Sequence, residues 1–317
     1  MIEQIINGLH ASLGLFSHPA VLALYGLVVG SFLNVVIYRV PKMLERSWIA
    51  EAADGLSSPE DLAKATGWSQ ARATQFTEQA AGLSKQMSSL GEFNISKPRS
   101  RCPHCGHAIA WYENIPLASW LVLRGKCSSC AAPISARYPL VEICTAIAFA
   151  LVGLRHPGAH AFWYCAAAAV LIALAMIDFD TMLLPDSMTL PLMWLALMGS
   201  VFGELLPLQS AVIGAAAGYL SLWSIYWAFK LLTGKEGMGY GDFKLMAALG
   251  AWFGAGSLPA IAFLSATVGI LVHVLLRTTG SLKKDQPMPF GPYLAGAGLV
   301  LLVVPASAIQ AMFPMFA

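Results

Sequence analysis

The chain has 317 residues, of which 57% are apolar and 11% charged, with a mean hydropathy of +0.65. Soluble globular chains carry roughly a quarter charged residues, so the composition excludes that class and points to an all-α polytopic membrane protein. A net charge of +2 gives no reason to expect nucleic acid as a partner; where the charges lie carries the information.

A spanning helix needs about 20 apolar residues. Eight segments are candidates, at about 18–38, 139–155, 160–178, 187–203, 210–232, 243–257, 259–277 and 291–313, the second, fourth and sixth being short. No Lys or Arg falls between Met1 and Tyr38, so the N-terminus lacks the basic region of a cleavable signal peptide. The expected organisation is an N-terminal spanning helix (1–38), one sizeable polar domain (39–138) and a seven-helix membrane domain (139–317).

Lys and Arg favour the cytoplasmic side of a membrane. Twelve of the 19 basic residues lie between Arg39 and Arg137. Lys230, Lys235 and Lys244 flank a glycine-rich stretch, and Arg277, Lys283 and Lys284 lie between the seventh and eighth segments. With eight alternating spans these three loops share one face, leaving only Arg155 for the other. That face is expected in the cytoplasm, with both termini outside.

Within the polar domain, about 46–97 is poor in large apolar residues and reads as a variable helical insertion. Ser58-Pro59-Glu60-Asp61 has the form of a helix start, and Ser69 to Lys85 suits a second surface helix. The stretch about 98–138 is sharper. Cys102-Pro103-His104-Cys105 and Cys127-Ser128-Ser129-Cys130 are two C-x-x-C knuckles with 21 residues between them. Two such knuckles close a Cys₄ site for one structural Zn²⁺. A thioredoxin-like pair would need a βαβ setting that the pattern lacks. His104 and His107 could substitute as ligands but read better as surface residues. Cys144 and Cys165 lie in apolar segments as inert core residues. Between the knuckles, Trp111-Tyr112-Glu113-Asn114-Ile115-Pro116, Ser119-Trp120 and Arg124-Gly125-Lys126 suit an aromatic hairpin against the membrane surface. A small-molecule pocket beside the zinc is the alternative.

The spans hold few acids. Glu142 suits the dipole at the start of the second segment, Asp186 an N-cap, and Glu204 and Asp180 solvated ends. Asp178 is different, because it ends the apolar run 166–177 at a helix C-terminus, where the dipole disfavours it. Asp242 follows Gly237, Gly239 and Gly241, whose lack of Cβ permits close backbone approach. An N-cap role is open to it, but the alternation of spans puts Asp178 and Asp242 on one face at similar depth. Carboxylates at a membrane edge are costly and point to function. Two that meet there would share a proton, one serving as general base towards water and the other as donor to a carbonyl, as in an aspartic protease.

Gly239-x-Gly241-Asp242 resembles the G-x-G-D signature of membrane-embedded aspartic peptidases, and Ile177-Asp178-Phe179-Asp180 with Leu183-Leu184-Pro185-Asp186 resembles the other aspartate motif of type IV prepilin peptidases. The two knuckles, Glu113 to Pro116, Gly125-Lys126-Cys127, Arg137-Tyr138-Pro139 and Gly30 to Asn34 resemble the bifunctional bacterial members, prepilin leader peptidases that are also N-methyltransferases. The resemblance covers nearly the whole chain outside about 46–97. It implies that Asp178 and Asp242 are the catalytic pair. The substrates would be type IV pilus prepilins or type II secretion pseudopilins, cut after a glycine at the cytoplasmic face of the bacterial inner membrane. S-adenosylmethionine would then methylate the new N-terminal residue. The cysteine domain would serve methyl transfer, with Glu113, Gly125 and Lys126 as candidate donor-binding residues and Cys102, Cys105, Cys127 and Cys130 as metal ligands. Three alternatives remain: a G-x-G-D peptidase without the methyltransferase, a non-enzymatic assembly factor with a zinc docking domain, and a carboxylate-dependent transporter.

Overall fold

The computed structural model describes residues 16–280, 288–304 and 308. Residues 1–15, Lys283, Lys284 and most of the eighth segment beyond Val304 lie outside them. Among the described residues, regular structure is helical: α1 (Pro19–Gly55), α2 (Pro59–Thr66), α3 (Gln70–Ser89), the short α4 (Ala118–Val122), α5 (Arg137–Arg155), α6 (His160–Thr181), α7 (Asp186–Val201), α8 (Leu208–Thr233), α9 (Tyr240–Phe253), α10 (Leu258–Thr278) and α11 (Gly291–Val303). Every apolar segment expected from the sequence has a helix. Five of these are long and apolar enough to cross a membrane: Pro19–Gly55, Arg137–Arg155, His160–Thr181, Leu208–Thr233 and Ala255–Thr278. Helices α7, α9 and α11 hold 16, 14 and 13 residues, short of the roughly 20 that spanning takes.

Two compact units divide the chain, one of residues 1–34 and 110–317 and the other of residues 35–109. In the smaller, Ser58 Oγ accepts the Asp61 N–H at 3.3 Å, Pro59 takes the first helical position and Gly67 ends α2 at φ +72°. These are the signals that the sequence displays. Buried Arg39 anchors the chain after α3, donating to the Asn94 and Pro98 carbonyls at 2.7 and 2.6 Å, while Arg46 lies over the Phe93 ring at 4.4 Å.

In the larger unit α9 is the central element, packed against α7, α8, α10 and α11. It is apolar on all sides, as a helix enclosed by others must be, and Asp242, Phe243 and every residue from Leu245 to Trp252 are buried. Buried Trp252 donates its indole N–H to the Leu192 carbonyl at 3.0 Å, tying α9 to α7. Small residues bring α8 and α9 into backbone contact. A Cβ on Gly214 would lie 2.0 Å from the Gly250 carbonyl oxygen, one on Gly250 2.0 Å from that of Gly214, and one on Gly218 2.4 Å from that of Met246. At the far end, His156 stacks on Tyr164 at 3.7 Å and shares a 2.9 Å hydrogen bond with the Leu302 carbonyl. Burial holds its imidazole below the ordinary range.

Gly250→Ala is therefore expected to force α8 and α9 apart and cost about 1–3 kcal/mol. A thermal unfolding scan of the purified protein in lipid nanodiscs should show a lowered Tm; an unchanged Tm would contradict this packing.

Candidate active site and cysteine cluster

Asp178 lies on the last turn of α6, and its backbone carbonyl accepts the N–H of Met182, which closes the helix in a left-handed conformation at φ 56°. Asp242 lies on the first turn of α9. Gly239 is the N-cap, so Asp242 is the third helical residue rather than the cap, a role its sequence context left open. From there its Oδ2 reaches back to accept the Gly239 N–H at 3.2 Å, the reciprocal half of a capping box. Both carboxyl groups are buried, at 5% and 7% exposure. Asp178 Oδ2 has no hydrogen-bond partner among the described residues, an arrangement that native structures avoid without reason.

Three neighbours draw the two aspartates together. A Cβ on Gly291, at the start of α11, would stand 2.6 Å from Asp178 Oδ2 and 2.9 Å from Leu184 Cδ1. A Cβ on Gly241 would stand 2.7 Å from Leu184 Cβ. Leu184 is thus wedged between the glycine beside Asp178 and the glycine that precedes Asp242. Glycine backbone, not a side chain, thus stands beside Asp178 and against Leu184.

The neighbouring acids have other duties, and three expectations are corrected. Asp180 is not merely solvated: Arg137 grips it in a two-toothed pair at 2.8 and 2.6 Å. Asp186 caps nothing, since Pro185 holds the cap position of α7 and the Asp186 carboxylate accepts from Lys244 Nζ at 2.7 and 2.6 Å. Glu142 is buried beyond the first turn of α5 and accepts the Leu117 N–H at 2.7 Å, so a loop contact, not the helix dipole, explains it. Glu204 stands beside His160, whose Nδ1 shares a 2.9 Å hydrogen bond with the Glu204 backbone carbonyl and lies 3.0 Å from its Oε2. Sequence reasoning missed Gly291, Leu184 and Lys244 as neighbours of the site. The Gly291-Pro292 helix start was the one visible signal for the first.

Cys102, Cys105, Cys127 and Cys130 form a group that could hold one metal ion, their sulfurs all within 4.8 Å of one another. The knuckles repeat each other: the Gly106 N–H donates to the Cys102 carbonyl as the Ala131 N–H does to that of Cys127, both at 2.9 Å. Gly106 has φ +73°, and Ala131 takes the same left-handed place at φ 56°. Glu113 Oε2 accepts the Ala110 N–H at 2.7 Å and its Oε1 accepts from Ser128 Oγ. At Gly125, φ +66°, an added Cβ would stand 2.9 Å from the Trp120 ring. These contacts give Glu113 and Gly125 structural work. Cys165 is buried in α6, as expected of a core residue, whereas Cys144 is exposed on the α5 surface.

Comparison with known proteins then bears on the whole chain. Residues 24–156 match the model of the bacterial peptidase A24 N-terminal domain, and residues 165–274 that of the type IV leader peptidase family. A prepilin leader peptidase/N-methyltransferase of Aeromonas hydrophila is 50% identical over 285 residues, 88% of each chain. The chain belongs to the type IV leader peptidase family. Further relatives carrying the same name are 46% identical in Pseudomonas aeruginosa, over 91% of this chain and 92% of the relative, and 45% identical in Dichelobacter nodosus, over 92% and 91%. No solved structure matches. The leader peptidase segment, 165–274, contains both Asp178 and Asp242.

Proposed function

We propose that the chain cleaves the leader peptides of type IV prepilins and type II secretion pseudopilins and then N-methylates the new terminus. The observation that carries the peptidase half is the pair of buried carboxyl groups, Asp178 and Asp242, joined through Leu184 and walled by Gly241 and Gly291. The name that the relatives share, prepilin leader peptidase/N-methyltransferase, supports both halves.

In this reading one aspartate is ionised and takes a proton from water, and the other is protonated and donates to the scissile carbonyl. Water oxygen adds to the carbonyl carbon, and the proton passes on to the departing amine. Gly241 and Gly291 let Leu184 and the Asp178 carboxyl group pack directly against backbone. Eight spans would place both aspartates on the face that holds 18 of the 19 basic residues, so the site opens to the cytoplasm at the inner membrane. A basic leader stays on that side while the apolar stem of the substrate lies in the bilayer. Arg137 and Lys244 are occupied by Asp180 and Asp186, and among the described residues no salt bridge reaches Asp178 or Asp242 to lock it in the ionised form.

The four cysteines would hold a structural Zn²⁺. Tetrahedral ligands at about 2.3 Å stand roughly 3.8 Å apart, compatible with sulfurs that lie within 4.8 Å. S-adenosylmethionine, when bound, supplies the methyl group. With Glu113 and Gly125 structurally engaged, Lys126 is the one member of the segment left as a candidate for the donor.

Cleavage of a prepilin in proteoliposomes tests the peptidase. Asp178→Asn and Asp242→Asn are each expected to lose at least about 100-fold in rate while still methylating an already cleaved pilin. An active Asn variant would overturn the pairing. Gly291→Ala should cost about tenfold or more by displacing the Asp178 carboxyl, and wild-type turnover would show that the wall at Gly291 is not needed. Elemental analysis of the purified protein should find about one zinc per chain; metal-free protein with intact thiols would refute the zinc site.

A further inference from the structure

The loop between α8 and α9 carries Gly234, Gly237 and Gly239, with Gly234 at φ +70°. So many glycines leave a backbone with wide conformational freedom, yet this loop must deliver Asp242 to a fixed place. Asp242 Oδ2 takes its hydrogen bond from the Gly239 N–H, so any wandering of Gly239 moves the carboxylate. Something must restrain the loop.

The restraint begins at Tyr226, 2% exposed in α8. Its ring meets those of Tyr240 and Phe243 at 5.4 and 5.5 Å, and these two meet each other at 5.5 Å. Phe243, fully buried, is the residue after Asp242. The Tyr226 hydroxyl accepts from Lys230 Nζ at 3.2 Å, and the same ammonium donates to Glu236 Oε1 at 2.8 Å. Tyr226 therefore grips both ends of the loop, its ring against the first turn of α9 and its hydroxyl, through Lys230, on Glu236. Gly237 lies against the Phe229 ring, which an added Cβ would approach to 2.9 Å. Glu236 is 67% exposed in this pair, and exposed ion pairs add little to global stability. The pair holds the loop; it does not hold up the fold.

We propose that the Lys230–Glu236 pair, seated on the Tyr226 hydroxyl, is a positioning clasp that fixes Gly239 and so keeps the Asp242 carboxylate in place for cleavage. The inference rests on the reading of Asp242 as a member of the peptidase pair. Lys230, Glu236 and Tyr226 are positioning residues and act through Gly239.

The test compares prepilin cleavage in proteoliposomes by wild type, Glu236→Gln, Lys230→Met, Tyr226→Phe, the double Lys230→Met/Glu236→Gln, and the charge-swapped Lys230→Glu/Glu236→Lys. Each single variant is expected to lower kcat about three- to tenfold with KM held within about twofold, because orientation and not binding is lost. The double variant should be no slower than its singles, since both remove one interaction. The charge swap should recover at least about half of the lost kcat, because the Tyr226 hydroxyl can donate to a carboxylate as readily as it accepts from an ammonium. Tm and methylation of an already cleaved pilin should stay at wild-type values. Wild-type kcat in the singles, losses that multiply in the double variant, a swap no better than the singles, or a change in KM alone would overturn the clasp. Asp242→Asn runs alongside as the control: cleavage by that variant would instead bring down the underlying peptidase reading and the clasp with it.

Discussion

Backbone contact between α8 and α9 is the constraint on which the site depends. In a bilayer, lipid tails are as apolar as leucine, so helices associate by close packing rather than by escape from water. Gly214 against Gly250 and Gly218 against Met246 supply that packing at successive turns, with carbonyl oxygens where side chains would otherwise stand. Such contacts tolerate no slippage, because a shift of one residue would put a Cβ into a carbonyl. The depth of α9 relative to its neighbours is thereby fixed, and with it the depth of Asp242. The same α9 binds α7 through Trp252 and packs on α11, whose first residue, Gly291, touches Asp178.

The carboxyl pair is thus the product of small residues at two scales. Glycines deep in α8 and α9 set the helices, and glycines at the helix ends, Gly241 and Gly291, set the room around the acids. Leu184 fills the space between those two glycines. Ionised carboxylates are expensive in such a place. The structure buries two carboxyl groups here, and one oxygen of Asp178 has no hydrogen-bond partner among the described residues.

Much of this was legible in the sequence because apolar runs and glycines have strong local signatures. Every apolar segment became a helix, Ser58-Pro59 started α2 and Gly67 ended it, and the two C-x-x-C knuckles came together. What escaped was set by contacts between residues distant in the chain. Arg137 with Asp180, Lys244 with Asp186 and Leu117 with Glu142 join different elements, and no local pattern announces such partners. Local reasoning therefore gave each acid a local explanation, such as a cap, a dipole or solvent, and in these three cases a distant donor prevailed. The end of α1 escaped for a related reason. Its apolar stretch stops near Tyr38, yet the helix runs on through Pro41 to Gly55, and hydropathy marks the apolar part alone.

The division of labour among the acids at this end of the helices follows from their partners. Asp180 and Asp186 each have a cation at salt-bridge distance and link neighbouring elements. Asp178 and Asp242, two positions before Asp180 and Lys244 respectively, are buried, and the Gly239 N–H donates to Asp242. A carboxylate held by an arginine or lysine is poorly suited to exchange protons, because the cation stabilises the ionised form. A carboxylate facing a second carboxylate in an apolar wall is suited to it, because one proton relieves the repulsion of both. Pairing the outer acids with cations therefore does more than fasten helices: on the proposed reading of Asp178 and Asp242, it keeps Arg137 and Lys244 from two groups that must exchange a proton.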